Sequence, residues 1–202
     1  MNAAGAVFAC DTTLDACSVA LVRGDESWAL SEPMQRGQAE RLAPMAAEAL
    51  AQSGLKWSDV TRIVVTTGPG SFTGVRVGLS FARALALALK APCVGVSTLE
   101  ALALEQGSDG SRAALIETPG AAYLALYRHG APLIAPCPIE RGAHLALIKG
   151  AAGDAAFLLR GPAETCDPVA LARYGAARDP ALYPPDPLYL RAPHVTLPAG
   201  AS

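Results

Sequence analysis

The chain reads as an α/β protein built twice: two subdomains, each a mixed sheet flanked by helices, the second one reduced. Three observations predict this. Short apolar runs of strand length alternate with stretches of helical periodicity. The order strand, acid, turn, strand, turn, strand occurs near the start and again after residue 112. Between the two lies a glycine-rich turn, Gly68-Pro69-Gly70, that follows an apolar strand and opens the longest helical stretch.

Val7–Cys10 is a strand ending in Asp11-Thr12-Thr13. Leu14-Asp15 turn the chain, and Cys17–Arg23 return as a second strand. Gly24-Asp25 turn it again into a third, Ser27–Ser31, which Pro33 ends. Gln38–Gln52 reads as a helix with Leu42, Met45, Ala46, Ala49 and Leu50 on one side. Pro44 lies in its first two turns, where a missing N–H is tolerated. Ser53-Gly54 stop it. Trp57–Arg62 lead into strand Ile63–Val65, and after the glycine turn Ser71 or Thr73 caps a helix to about Lys90. Pro92 forbids continuation. Cys93–Val96 is a strand, and Ser97-Thr98 cap a helix over Leu99–Gln106.

Residues 107–111 are polar and form the expected linker, so the division is 1–106, linker 107–111, and 112–202. A gapless shift of 106 positions lays Val7–Gly24 on Ala113–Gly130, with Glu117-Thr118 in the place of Asp11-Thr12. Leu133–Ile139 then repeats the third strand. A helix near Ala143–Lys149, a strand Ala155–Leu159 and a helix near Pro168–Ala177 complete the second half. A proline-studded tail follows, in which Leu188–Arg191 should dock. A duplicated meander with an acid at each first hairpin is the ground plan of the actin-like (ASKHA, ribonuclease H-like) fold. There the two acids face each other across a cleft and handle a nucleotide's phosphates and metal. That step is fold-level analogy only.

The helix Ser71–Lys90 has an unusual surface. Arg76, Arg83 and Lys90, seven apart, make one narrow polar stripe with Ser80. Gly74, Gly78, Ala82 and Ala86 recur every fourth residue as a ridge nearly without side chains. Glycine costs roughly 1 kcal/mol against alanine inside a helix, so the ridge needs a packing reason. Two readings stand: a foreign helix lies against it, or this chain's own second subdomain or neighbouring helix does.

Charge is nearly balanced, at −2 over 202 residues, so any nucleic acid must be held by a local patch or another subunit. The absence of a charged start followed by a long apolar run predicts a cytoplasmic protein. The longest apolar window, within Val77–Leu89, reads as too short for a bilayer and contains Arg83. Five cysteines without C-x-x-C spacing and three scattered histidines predict reduced thiols and no metal centre. Asp11 and Thr12, with Gly68, Gly70, Ser71 and Thr73, are the candidate nucleotide or anion site. Asp11 either orients a metal-bound water or satisfies its own turn. The glycines serve either an anion or a tight strand-to-helix turn. No lysine follows them, so the loop is not a P-loop. No catalytic constellation is present.

The segments CDTTLDACSVAL, GPGSFTGVRVGLSFARALALAL, VGVSTLEALA and PLYLR together resemble the bacterial TsaB family, densely over residues 7–105 and loosely from 112. The resemblance implies a non-catalytic, actin-like subunit of tRNA threonylcarbamoyladenosine synthesis. Such a subunit pairs with its paralogue TsaD, or with itself, and a TsaE-like ATPase joins the pair. tRNA is then reached through the complex. The pairing helices correspond to Gln38–Gln52 and Ser71–Lys90. The expected interface is Gln38, Leu42, Met45, Phe72, Gly74, Val75, Gly78, Leu79, Ala82 and Ala86. No cofactor is expected on this chain alone, ATP with magnesium belonging to the complex, and no membrane is involved. The chain departs from the family pattern at Gln38 and at Glu117-Thr118-Pro119. The competing readings are a small-molecule kinase or ATPase built on Asp11 and the Gly68–Gly74 loop, and a metallopeptidase.

Overall fold

The computed structural model describes residues 5–104, 110–153, 156–161 and 165–190. Strands β1 (Ala6–Asp11), β2 (Ala16–Arg23) and β3 (Glu26–Pro33) form an antiparallel meander. Helix α1 (Gln38–Ser53) then carries the chain to β4 (Val60–Thr66), which pairs parallel to β1. Helix α2 (Phe72–Leu89) and β5 (Cys93–Val96), parallel to β4, complete a five-stranded sheet of order β3-β2-β1-β4-β5. After α3 (Thr98–Leu102), strands β6 (Ser111–Thr118), β7 (Ala121–Arg128) and β8 (Ala131–Ile139) repeat the meander. Helix α4 (His144–Ala152) leads to β9 (Ala156–Gly161), parallel to β6, giving the order β8-β7-β6-β9. Helix α5 (Pro168–Ala176) follows.

The duplication is therefore real in topology: each half runs meander, helix, then a strand beside its first strand. The copies differ at the hairpin. Asp11 pairs with Ser18, whereas Glu117 pairs with Ala122, so the second turn is tighter and β7 returns sooner than the 106-residue shift places it. Pro33 falls inside β3, opposite Ala16, instead of ending the meander before it. It sits at the end of an edge strand, where its missing N–H is tolerated. The expected helix to Gln106 is shorter, ending at Leu102, and residues 105–109, with most of the expected linker, lie outside the described residues.

Three apolar layers hold the molecule. Phe8, Cys10, Ile63 and Val65 project from one face of the first sheet onto Leu42, Met45 and Ala49 of α1 and Val75, Leu79 and Ala82 of α2. Val7, Ala9 and Val64 project from the other face into a middle layer with Leu99 of α3, Ile116, Ala125 and Tyr127 of the second sheet, and Leu171 of α5. Ala113, Leu115, Leu124 and Leu126 meet Ile148 of α4 in the third. Alternating residues of β1, β4 and β6 thus serve different layers, as a strand's two-residue period requires.

The chain crosses back on itself. Helix α5, assigned by sequence to the second unit, packs on β1, β2 and β4 of the first sheet. Gly175 makes the approach possible: a Cβ there would lie 2.4 Å from Val64 Cγ2. The following segment stays on the first sheet, with Gly95 N–H donating to the Tyr183 carbonyl at 2.9 Å and Leu188 N–H to the Thr67 carbonyl at 2.8 Å. Leu188–Leu190 dock as expected, while Arg191 and the rest of the tail lie outside the described residues.

Candidate functional site

Helix α2 starts where β1 ends, and a polar network joins them. Asp11 is wholly buried. Its Oδ1 accepts from Thr13 N–H at 2.9 Å, Thr13 Oγ1 at 2.6 Å and Thr66 Oγ1 at 2.6 Å. Thr98 Oγ1 donates to Thr13 Oγ1 at 3.0 Å and accepts from Gly68 N–H at 3.1 Å. Ser71 N–H donates to the Thr13 carbonyl at 2.8 Å, and Thr12 Oγ1 to the Gly74 carbonyl at 2.7 Å. Ser71 caps α2, its hydroxyl accepting from Gly74 N–H at 3.3 Å.

These contacts take up part of the expected anion site. Asp11 and Thr12 are buried, and the Gly68 and Ser71 amides are spent on Thr98 and Thr13. Gly70 is small because a Cβ would lie 2.3 Å from the Thr13 carbonyl oxygen. Thr73 is exposed on the first turn of α2, away from that network. Of the two readings of Asp11, the structure favours the one in which it organises its own turn. Thr13, Thr66 and Thr98, which complete that network, carry no sequence signal beyond a hydroxyl at a strand or helix end. Cys166, ahead of α5, is wholly buried beside Asp11 and near the Thr98 carbonyl, at 3.9 Å. Burial first, then the charge of Asp11, pushes its thiol well above the ordinary range.

The ridge of α2 is corrected as well. Gly74, Val75, Gly78, Leu79, Ala82 and Ala86 are all buried within this chain. A Cβ on Gly74 would lie 1.9 Å from the Thr12 carbonyl oxygen, and one on Gly78 would lie 2.7 Å from Thr12 Oγ1. The close neighbour that the glycines admit is the end of β1, with no room left for a foreign helix. Gln38, Leu42 and Met45 of α1 are likewise buried, Gln38 donating to the Met34 carbonyl at 3.1 Å. Of the ten expected interface residues Phe72 alone is exposed, at 61%.

The surface that is free lies on the opposite sides of the same helices. On α1, Ala39, Ala43, Ala47 and Ala51 are exposed and four apart, a small-residue ridge of the kind expected on α2. On α2, Ser80, Ala84, Leu87 and Ala88 are exposed, Leu87 at 82%. By length and mean hydropathy (1.4), Phe72–Leu89 is apolar enough to cross a membrane, against the expectation from Val77–Leu89. It instead lies along a sheet, with 33% of it buried and Arg76 and Arg83 exposed.

Between the two halves, a cleft of about 530 Å³ opens beside the start of α2. Thr13, Asp15, Pro69–Phe72 and Val75 line one side, Ile116–Pro119 and Tyr123 the other, and Leu188–Leu190 the rim. Glu117, the counterpart of Asp11, faces this cleft instead of the core. Arg141 pairs with it at 3.7 Å and donates to the Thr118 carbonyl. Among the described residues no group of three His, Cys, Asp or Glu is placed to hold a metal.

The family model for TsaD, tRNA N6-adenosine threonylcarbamoyltransferase, matches residues 32–127. The tRNA threonylcarbamoyladenosine biosynthesis protein TsaB of Haemophilus influenzae is 43% identical over 97 residues, 48% of this chain and 41% of that protein. The protein of the same name from Escherichia coli is 37% identical over 126 residues, 60% of this chain and 54% of that one. The chain thus spans about half the length of the curated relatives it matches. YeaZ from Pseudomonas aeruginosa superposes with a TM-score of 0.74 at 28% identity, over 92% of this chain and 100% of that structure. Over about half of its length the chain is thus similar in sequence to TsaB proteins, and over most of it its fold is that of YeaZ.

Proposed function

We propose that this chain is a non-catalytic scaffold subunit of tRNA threonylcarbamoyladenosine synthesis. It pairs with a TsaD-like transferase, with a TsaE-like ATPase joining the pair, and supports threonylcarbamoyl transfer to the adenosine next to the anticodon. Alone it pairs with itself. It works in the cytoplasm without a membrane, holds no cofactor of its own, and leaves ATP and magnesium to the complex. tRNA is reached through the partner.

The observation that carries this reading is the outer surface of α1 and α2. Beside exposed Arg76, Ser80 and Arg83, the outer side of α2 leaves Ala84, Leu87 and Ala88 uncovered, with Leu87 82% exposed. The alanine ridge of α1 lets a second helix approach closely beside it. The kinase or ATPase reading loses its acid, since Asp11 is enclosed by its own turn.

The test is co-purification with the TsaD-like paralogue of the same organism. Ala47→Glu and Leu87→Glu should abolish pairing while the isolated chain keeps its native circular-dichroism spectrum. Pairing that survives both changes would overturn the proposal. Gly78 substitutions are unsuitable, because they press on Thr12 inside the chain.

A further inference from the structure

The cleft between the halves has the size of a small-molecule site, within the usual range of roughly 300–1,000 Å³. Its chemistry is the reverse of a phosphate site. Two carboxylates, Asp15 and Glu117, line it, and no lysine or arginine does. Pro119 has no N–H to offer an anion. The positive end of α2 faces the same space, but that is worth roughly half an elementary charge. Arg141 is set against Glu117 and Arg76 covers one face of Phe72, which leaves Asp15, accepting from Gln35 Nε2 at 3.5 Å, as the carboxylate placed to receive a further cation. The walls are apolar and partly aromatic, from Phe72, Tyr123 and Tyr189, with Phe72 61% and Tyr189 55% exposed.

The molecule already shows which flat cation suits such surfaces. The Arg76 guanidinium lies 3.5 Å over the Phe72 ring. At the rim, the Arg141 guanidinium bridges the Glu117 carboxylate and the Thr118 carbonyl. Guanidinium is planar, weakly hydrated and rich in donors, so it stacks on rings and pairs with carboxylates in one geometry. We infer that the cleft is a binding site for a guanidinium group on an aliphatic stem, either a free small molecule or an arginine side chain presented by another protein.

The full chain, labelled with nitrogen-15, is titrated with agmatine, with a Gly-Arg-Gly amide peptide and with ATP–magnesium. The guanidinium probes should give saturable shifts at the amides of Ser71, Thr118 and Tyr189. Asp15→Asn and Glu117→Gln should each weaken binding about tenfold with an unchanged thermal midpoint, both positions being partly exposed. Tighter binding of the peptide than of agmatine assigns the site to a protein side chain, and the reverse assigns it to a free molecule. No saturable shift with either probe overturns the inference. So does binding that survives both substitutions, or ATP displacing the guanidinium at the same amides. The experiment uses the isolated chain, so its outcome is independent of pairing with a transferase.

Discussion

Single residues decide how tightly β1 and α2 meet. Adding a methyl group at Gly74 removes a helix penalty of about 1 kcal/mol, but sets a carbon 1.9 Å from a backbone oxygen. Backbone yields less readily than a side-chain end, so the clash wins. Gly74→Ala should destabilise the chain by about 1–3 kcal/mol net in urea unfolding, and unchanged stability would show that the contact is looser than described. The thiols offer a second check. Burial pushes Cys10 and Cys166 well above the ordinary range and Cys17 to about 11. Thiolate is the reactive form. Alkylation of the native chain at neutral pH should therefore spare these three and reach partly exposed Cys137 first. Mass spectrometry of labelled peptides reads this directly.

At the level of elements, α1 is tied to the meander by Arg41, which donates to Glu32 of β3 at 2.8 Å and to Glu48 two turns further along at 2.7 Å. Both carboxyls are held below the usual range, chiefly by the hydrogen bonds from Arg41. A carboxyl lowered on folding adds stability above its unfolded value, near 4.5, and loses it as pH falls through the folded one. The groups are exposed, so the effect is small. Arg41→Gln should lower stability slightly at pH 7 and flatten the acid side of the curve, the difference from the parent vanishing as pH falls below the folded values, as thermal midpoints across the pH series would record. On the free side of the same helix, Ala43→Glu should leave stability within about 0.5 kcal/mol yet weaken pairing, as expected of Ala47→Glu.

Taken whole, the two halves share one middle layer, and α5 returns from the second half to cover the first sheet. Leu171 of α5 is wholly buried there. Leu171→Ala should cost about 2–5 kcal/mol and shift unfolding of both halves together, seen as one transition by circular dichroism and by tyrosine fluorescence. Two separate transitions would show that the halves fold independently. A fragment ending at residue 104 would expose Val7, Ala9 and Val64, and should not fold alone.

Much of this molecule was legible before any coordinates. Apolar periodicity placed the strands and helices within a few residues, because burial on a sheet or helix face leaves a period of two or near four in the chain itself. The glycine turn, the Ser71 cap and the repeated meander carried their own local chemistry. What sequence could not tell was which side of a helix meets which neighbour. Gly74, Gly78, Ala82 and Ala86 announce a close approach without saying to what, since a missing side chain records only that space is short. Asp11 and Glu117 occupy equivalent places in the repeat, yet one is enclosed and the other opens on a cleft. Loop length and the returning α5 made that difference. Contacts between residues a hundred positions apart are set by how the sheets stack, and so the buried ridge, the free alanine face of α1 and the acidic cleft were decided only by tertiary structure.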